Sequence, residues 1–219
     1  MKYYSINWDY DNIDVIGDYP QVTLRKGFNP GPPHGFWEVQ HYEFPKFIPE
    51  LELDLNQKAK PTNYLEDYTS FGMIINENFK EILKQFNLPK YAFYPIKVYH
   101  KGELLDYYWF HYIADIWEYI NIEKSSLEVY KKFEFEIDKV IPMPSKLSEF
   151  KVIKKSLPRQ KELMIHKIVF KDNFPKYDVF NLSQLGYPPN LISERLLNTL
   201  QEAGMTGFVT IPFDKIVCE

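Results

Sequence analysis

The sequence predicts an α+β fold: an aromatic-rich, mostly antiparallel sheet system with a few short helices packed on it. Three observations carry this reading. Aromatic residues are dense, with 17 Tyr, 17 Phe and 4 Trp in 219 residues, and such side chains suit half-buried pleated surfaces. Several segments alternate in character at period two, whereas two short stretches repeat apolar residues at helical spacing. One construction is also used twice. Residues 76–98 and 193–215 each read as a capped helix, a turn, an aromatic strand and a proline at the same distance, Asn76 to Pro95 matching Ser193 to Pro212 without a gap. Only Glu77/Glu194, Leu83/Leu200 and Pro95/Pro212 are identical, so the match is one of pattern, and everything it reproduces is scaffold.

Taken in order, residues 2–8 (KYYSINW) open as a strand. Residues 27–35 (GFNPGPPHG) hold three Gly and three Pro, which precludes helix and predicts a rigid loop. That loop is no phosphate cradle. Gly35 runs into Phe36-Trp37-Glu38, where a P-loop needs Gly-Lys-Ser/Thr and a helix. In residues 50–55, Leu51, Leu53 and Leu55 alternate with Glu50, Glu52 and Asp54. This predicts a half-buried strand at a sheet edge, its wet face carrying three carboxylates. Behind an Asn76 cap, Phe79, Ile82, Leu83 and Phe86 form one apolar helix stripe, with the Lys80/Lys84 side in water and Pro89 as the stop. A strand begins at Tyr91. Residues 104–113 (LLDYYWFHYI) are apolar or aromatic on both alternating faces, as in a strand buried on both sides.

Further strands are expected near 115–122, 131–140 and 162–170. Residues 142–160 hold Pro142, Pro144 and Pro158 among many lysines and read as a long connection. The second helix follows Pro188-Pro189 with Asn190 or Ser193 as cap and turns Leu196, Leu197, Leu200 and Ala203 inward. It closes at Gly204, which can take the left-handed conformation of a helix end. The whole is expected to be one domain over 1–219, with lobes 1–145 and 146–219 as the alternative division.

Composition and motifs assign no activity. No apolar run approaches the ~20 residues of a membrane span, and the N-terminus MKYYSINWDYDN lacks the apolar core of a secretory signal. Cys218 is the only cysteine, which excludes an internal disulfide and a multi-cysteine metal site and makes the cytoplasm the expected compartment. The net charge of −4 is uneven: residues 1–70 carry eleven acids against six bases, and residues 146–171 carry eight bases against two acids. The basic stretch Lys151, Lys154, Lys155, Arg159 and Lys161 could contact phosphates, but the overall acidity opposes nucleic-acid binding. There is no His-Glu-x-x-His, no Gly-x-Ser-x-Gly and no dinucleotide fingerprint. Asp9-x-Asp11 starts like a calcium loop, but Ile13 and Pro20 stand at later ligand positions. His111 could act as a general base. Five residues of strand span about 16 Å, however, so neither Asp106 nor Asp115 would reach it along the strand, and a packed core histidine is the expectation.

Ser193-Glu194-Arg195-Leu196, Gly204 and Thr206-Gly207-Phe208 join Tyr107-Tyr108-Trp109-Phe110-His111, Asn121-Ile122-Glu123-Lys124-Ser125 and Phe180 in a further pattern. Together they resemble the eleventh class of immunity proteins of bacterial polymorphic toxin systems, formerly a domain of unknown function. The similarity runs from Phe71 to Phe213. Two departures are Asn121, where an acid is expected, and Asn76, where the family often has Ser. The resemblance implies a non-catalytic bacterial cytoplasmic protein that binds and neutralises a cognate toxin domain. Such a protein needs no cofactor, metal, nucleic acid or membrane, only a complementary surface of about 800 Å² per partner with a few anchors. An acidic N-terminal part would suit a basic toxin such as a nuclease. Trp37, Glu38, Glu50, Glu52 and Asp54 are the partner-binding candidates, because a Pro/Gly-rich loop and an acidic edge strand are accessible by construction. Two alternatives stay open: an enzyme or small-ligand binder with a pocket around His111, and a carbohydrate-binding module with exposed Trp and Tyr as its platform.

Overall fold

The computed structural model describes residues 1–217, so Cys218 lies outside the described residues. In chain order the strands are β1 (Tyr3–Trp8), β2 (Val22–Leu24), β3 (Glu52–Leu55), β4 (Tyr64–Leu65), β5 (Met73–Asn76), β6 (Lys90–His100) and β7 (Glu103–Ile113). They continue as β8 (Ser126–Lys131), β9 (Glu136–Pro142), β10 (Lys161–Val169), β11 (Val179–Leu182), β12 (Tyr187–Ser193), β13 (Phe208–Pro212) and β14 (Ile216–Val217). The helices are α1 (Ile13–Ile16), α2 (Glu77–Leu83), α3 (Leu147–Ser156) and α4 (Glu194–Glu202). Three sheets result, in the orders β2-β3-β6-β7-β5-β4, β11-β12-β1-β13 and β14-β10-β8-β9. Among the described residues only the β3–β6 and β10–β14 strand pairs are parallel, so the fold is α+β and mostly antiparallel, as the sequence predicts.

The repeated construction is a split strand–helix–strand unit. In the first copy α2 joins β5 to β6, and β7 lies antiparallel between them. In the second, α4 joins β12 to β13, and β1 lies antiparallel between those. The middle strand thus follows its unit directly in one copy and comes from the start of the chain in the other. Strands from before and after residue 145 share sheets in two places, β1 with β12 and β13, and β8 with β10. Both helices begin with the predicted caps. Asn76 Oδ1 accepts from the Phe79 amide at 3.1 Å, and Ser193 Oγ accepts from the Leu196 amide at 3.2 Å. Gly204 closes α4 at φ +65° as expected, but Ala203 is exposed rather than inward.

Other expectations are corrected by tertiary pairing. Helix α2 ends at Leu83, and Phe86 packs from the turn beyond it. Lys80 does not face water: its ammonium lies 3.7 Å from the centre of the Tyr108 ring and 2.9 Å from Glu77. Residues 117–119 form a 3-10 turn instead of a strand. Residues 131–140 form a hairpin turn and the start of β9 rather than one strand. The long connection contains α3, which buries Phe150 and leans Leu147, Ile153 and Leu157 on the core while its lysines stay in solvent. Strand β3 is interior, with β2 on one side and β6 on the other, so it is no edge strand.

Two apolar cores meet at β7, whose outward and inward alternation is buried on both sides. Trp109 belongs to the cluster under β2, β3 and β6, while Phe110 and Tyr112 belong to the larger cluster shared with α2, α4 and the other sheets. A polar bridge crosses the larger core: the Tyr112 hydroxyl donates to Asn190 Oδ1 at 2.5 Å, and Asn190 Nδ2 donates to the Gly72 carbonyl at 3.0 Å. A second polar node is Asp178, fully buried. Its carboxylate accepts from the Asn87 amide at 2.8 Å, from Ser193 Oγ at 2.5 Å and from both Arg195 Nε, at 2.6 Å, and the Arg195 terminal nitrogen. These bonds tie the end of α2 to β11 and the start of α4.

Candidate partner-binding surface

The Pro/Gly-rich loop is held by its own backbone. Gly35 donates to the Gly31 carbonyl at 3.0 Å and Trp37 to the Pro30 carbonyl at 3.1 Å. Glu50 and Phe36 close a bridge to the segment leading into β3, through Glu50 N to His34 O at 2.9 Å and Phe36 N to Glu50 O at 3.2 Å. A side chain at Gly35 would put its Cβ 2.0 Å from the Pro30 carbonyl oxygen, so only glycine allows this closure. The 3-10 turn at Phe36–Glu38 then buries Phe36 and leaves Trp37 64% exposed. An open cleft of about 470 Å³ beside the loop is lined by Arg25, Lys26, His34, Glu50 and Glu52 together with loop backbone.

The five candidate residues divide by their surroundings. Glu52 sits 2.8 Å from Lys97 and 3.9 Å from Arg25, and Asp54 sits 3.0 Å from Arg25, whose guanidinium also covers the Tyr99 ring at 3.5 Å. Glu52 pushes the Lys97 ammonium pKa up, as expected for a directly bonded carboxylate. Glu38 and Glu50 are exposed, and among the described residues no cation pairs with either. Trp37 and Glu38 are thus exposed on the 3-10 turn, with the Trp37 ring beside Phe36, and Glu50 is exposed at the cleft wall. Glu52 enters the cleft wall already paired, and Asp54 stands on β3 outside that wall.

His111 is fully buried in a cage of rings, 5.0 Å from Phe44, 4.9 Å from Phe71 and 5.6 Å from Trp109. Its Nε2 is 3.1 Å from the His41 carbonyl, while its buried Nδ1 has no partner. Burial lowers the His111 pKa, partly opposed by the His41 carbonyl, so the site disfavours an imidazolium. Asp115 reaches Gln184 at 3.2 Å instead. His111 is a packed core histidine. Among the described residues no group of three or more His, Cys, Asp or Glu side chains is placed to hold a metal ion, and no helix is long and apolar enough to cross a membrane.

The model of the Immunity protein family (Imm11) matches residues 2–215. The chain belongs to this family. No curated protein matches it. The Imm11 match extends the resemblance from its expected start at Phe71 back to residue 2, and so takes in β1, the Pro/Gly-rich loop and all five candidate residues. It also covers two exposed side chains absent from the sequence-based candidates, Phe133 and Phe135, at the β8–β9 turn. The alternation of KKFEFEIDKV conceals them, because residues two apart in a strand suggest a shared buried face.

Proposed function

We propose that this Imm11 protein neutralises a cognate bacterial toxin domain by binding it directly in the cytoplasm, with no catalysis of its own. The family match over residues 2–215 carries the reading. Support comes from the side chains that could have done chemistry. His111 is caged by rings, and Asp178 is consumed by four donors that tie helix to strand. The proposal takes the chain as one domain, supported by the sheets that join its two ends.

On this reading Trp37, Glu38 and Glu50 contact the toxin, Glu52 shapes the adjacent cleft wall, and Asp54 acts through Arg25 by fixing its position. The surplus of acids in residues 1–70 would speed association with a basic toxin and oppose its substrate-binding charge. The test is co-purification with the toxic C-terminal domain encoded next to this gene, followed by growth rescue. A stoichiometric complex, rescue and an association rate that falls with salt are expected. Absence of a complex, or turnover of a substrate by the purified protein that depends on His111, would overturn the reading.

A further inference from the structure

The β8–β9 hairpin ends in a turn that breaks three ordinary preferences at once. Phe133 is 80% exposed and Phe135 is 79% exposed, the most exposed of the large apolar side chains among the described residues. Phe135 also has φ +55°, closed by its amide donating to the Lys131 carbonyl at 2.9 Å. The left-handed region suits Gly or Asn, and a bulky aromatic there is an outlier. The only other non-glycine residues with positive φ among the described residues are lysines, Lys101 and Lys176. A backbone strained in order to hold an aromatic ring in water points to function.

The charges around the rings are spent on one another. Lys131 sits 2.7 Å from Glu134 and 2.8 Å from Glu136, Lys132 is 4.0 Å from Glu162, and Asp138 is 2.7 Å from Lys161. Residues 131–139 hold three bases, Lys131, Lys132 and Lys139, and three acids, Glu134, Glu136 and Asp138. The tip therefore carries no net charge and ends in two exposed rings, and it is held in place where the Lys132 amide donates to the Gln160 carbonyl at 2.9 Å. It continues along β9, the marginal strand of its sheet, where Ile137 and Val140 are about half exposed.

We infer that the Phe133/Phe135 tip is an apolar anchor that enters a hydrophobic pocket on a protein partner. The inference rests on the toxin-binding reading and names the partner as the toxin domain. Balanced charge removes the attraction that a phosphate or an anionic lipid surface would need, and leaves burial of the rings as the driving force. Two phenylalanines bury roughly 150–250 Å² each, about half of what one side of a stable interface requires. This contact is separate in character from the acidic surface near Trp37, because it does not weaken with salt.

The test uses the full chain, the purified toxic C-terminal domain encoded next to this gene, and the double variant Phe133→Ala/Phe135→Ala. The variant is expected to bind about 100-fold more weakly at low and high salt alike, with its melting transition kept. Equal binding by variant and wild type would overturn the anchor and leave the toxin reading standing. Failure of the wild type to bind would overturn both. Co-sedimentation of the wild type with anionic phosphatidylserine vesicles, lost in the variant, would overturn the protein pocket in favour of a lipid surface. A variant without a melting transition would overturn the claim that the rings stand clear of the core.

Discussion

Tyr4 and Tyr108 hold the same place in two different sheets. Tyr4 pairs with Ile192 on one side and Pro212 on the other; Tyr108 pairs with Ile75 and Pro95. Each hydroxyl serves the glutamate that opens the helix. Tyr4 donates to Glu194 at 3.4 Å, and Tyr108, with Lys80, holds the Glu77 carboxyl at about 2, below its ordinary value. The three identities of the repeat thereby acquire reasons. Glu77 and Glu194 accept from the tyrosines, and Leu83 and Leu200 are wholly buried. Pro95 and Pro212 stand where the strand has one neighbour, since β3 pairs with β6 only from Lys97 onward and β13 is marginal.

The two helix caps are expected to differ in weight. Asn76→Ala removes a cap and should lower stability by about 1 kcal/mol. Ser193→Ala removes a cap and also the hydroxyl that donates to buried Asp178, so about 2 kcal/mol or more is expected. Urea denaturation of both variants checks this, and equal losses would refute the double role of Ser193.

Asp178→Ala should cost about 2–3 kcal/mol, because it leaves the buried Ser193 hydroxyl without its acceptor and unties Asn87 and the half-exposed Arg195 from the same carboxylate. Arg195→Ala leaves the buried carboxylate without its charge partner and should also destabilise strongly. A double-mutant cycle by chemical denaturation should show the two losses to be far from additive.

Asp67 makes stability depend on pH in an unusual direction for a carboxylate. Burial pushes its pKa from 3.8 to about 7, partly opposed by the Tyr64 hydroxyl donating to it at 2.9 Å. Between those values the folded state keeps a proton that the unfolded chain releases, so this group's contribution to stability falls as pH rises and levels off above about 7. The slope is at most about 1.4 kcal/mol per pH unit. Asp67→Asn should gain on the wild type steadily across that window in melting experiments, and a constant difference would contradict the assignment.

Phe135→Gly should raise stability by roughly 1 kcal/mol by relieving the left-handed backbone, while reducing toxin binding. Thermal melting and titration together check the opposite signs. A loss of stability would show that the exposed ring packs against its neighbours.

What local chemistry encodes was legible beforehand. The caps at Asn76 and Ser193, the stripes behind them, the left-handed end at Gly204 and the loop at 27–35 each depend on a few adjacent residues. The missed helix α3 lay among prolines that suggested a connection, although its apolar residues recur at helical spacing through Leu147, Phe150 and Ile153.

Of the candidate surface, sequence alone determined which residues follow a rigid Pro/Gly-rich loop and which belong to an alternating acidic strand. Folding decided which charges remained available. Arg25 and Lys97 arrive at Glu52 and Asp54 from 27 to 45 positions away, and β6 covers the flank of β3 that periodicity left open. Strand order, like the emergence of Phe133 and Phe135 into solvent, is settled by pairing between distant segments. A period of two states which side chains share a face, but not what, if anything, lies against it.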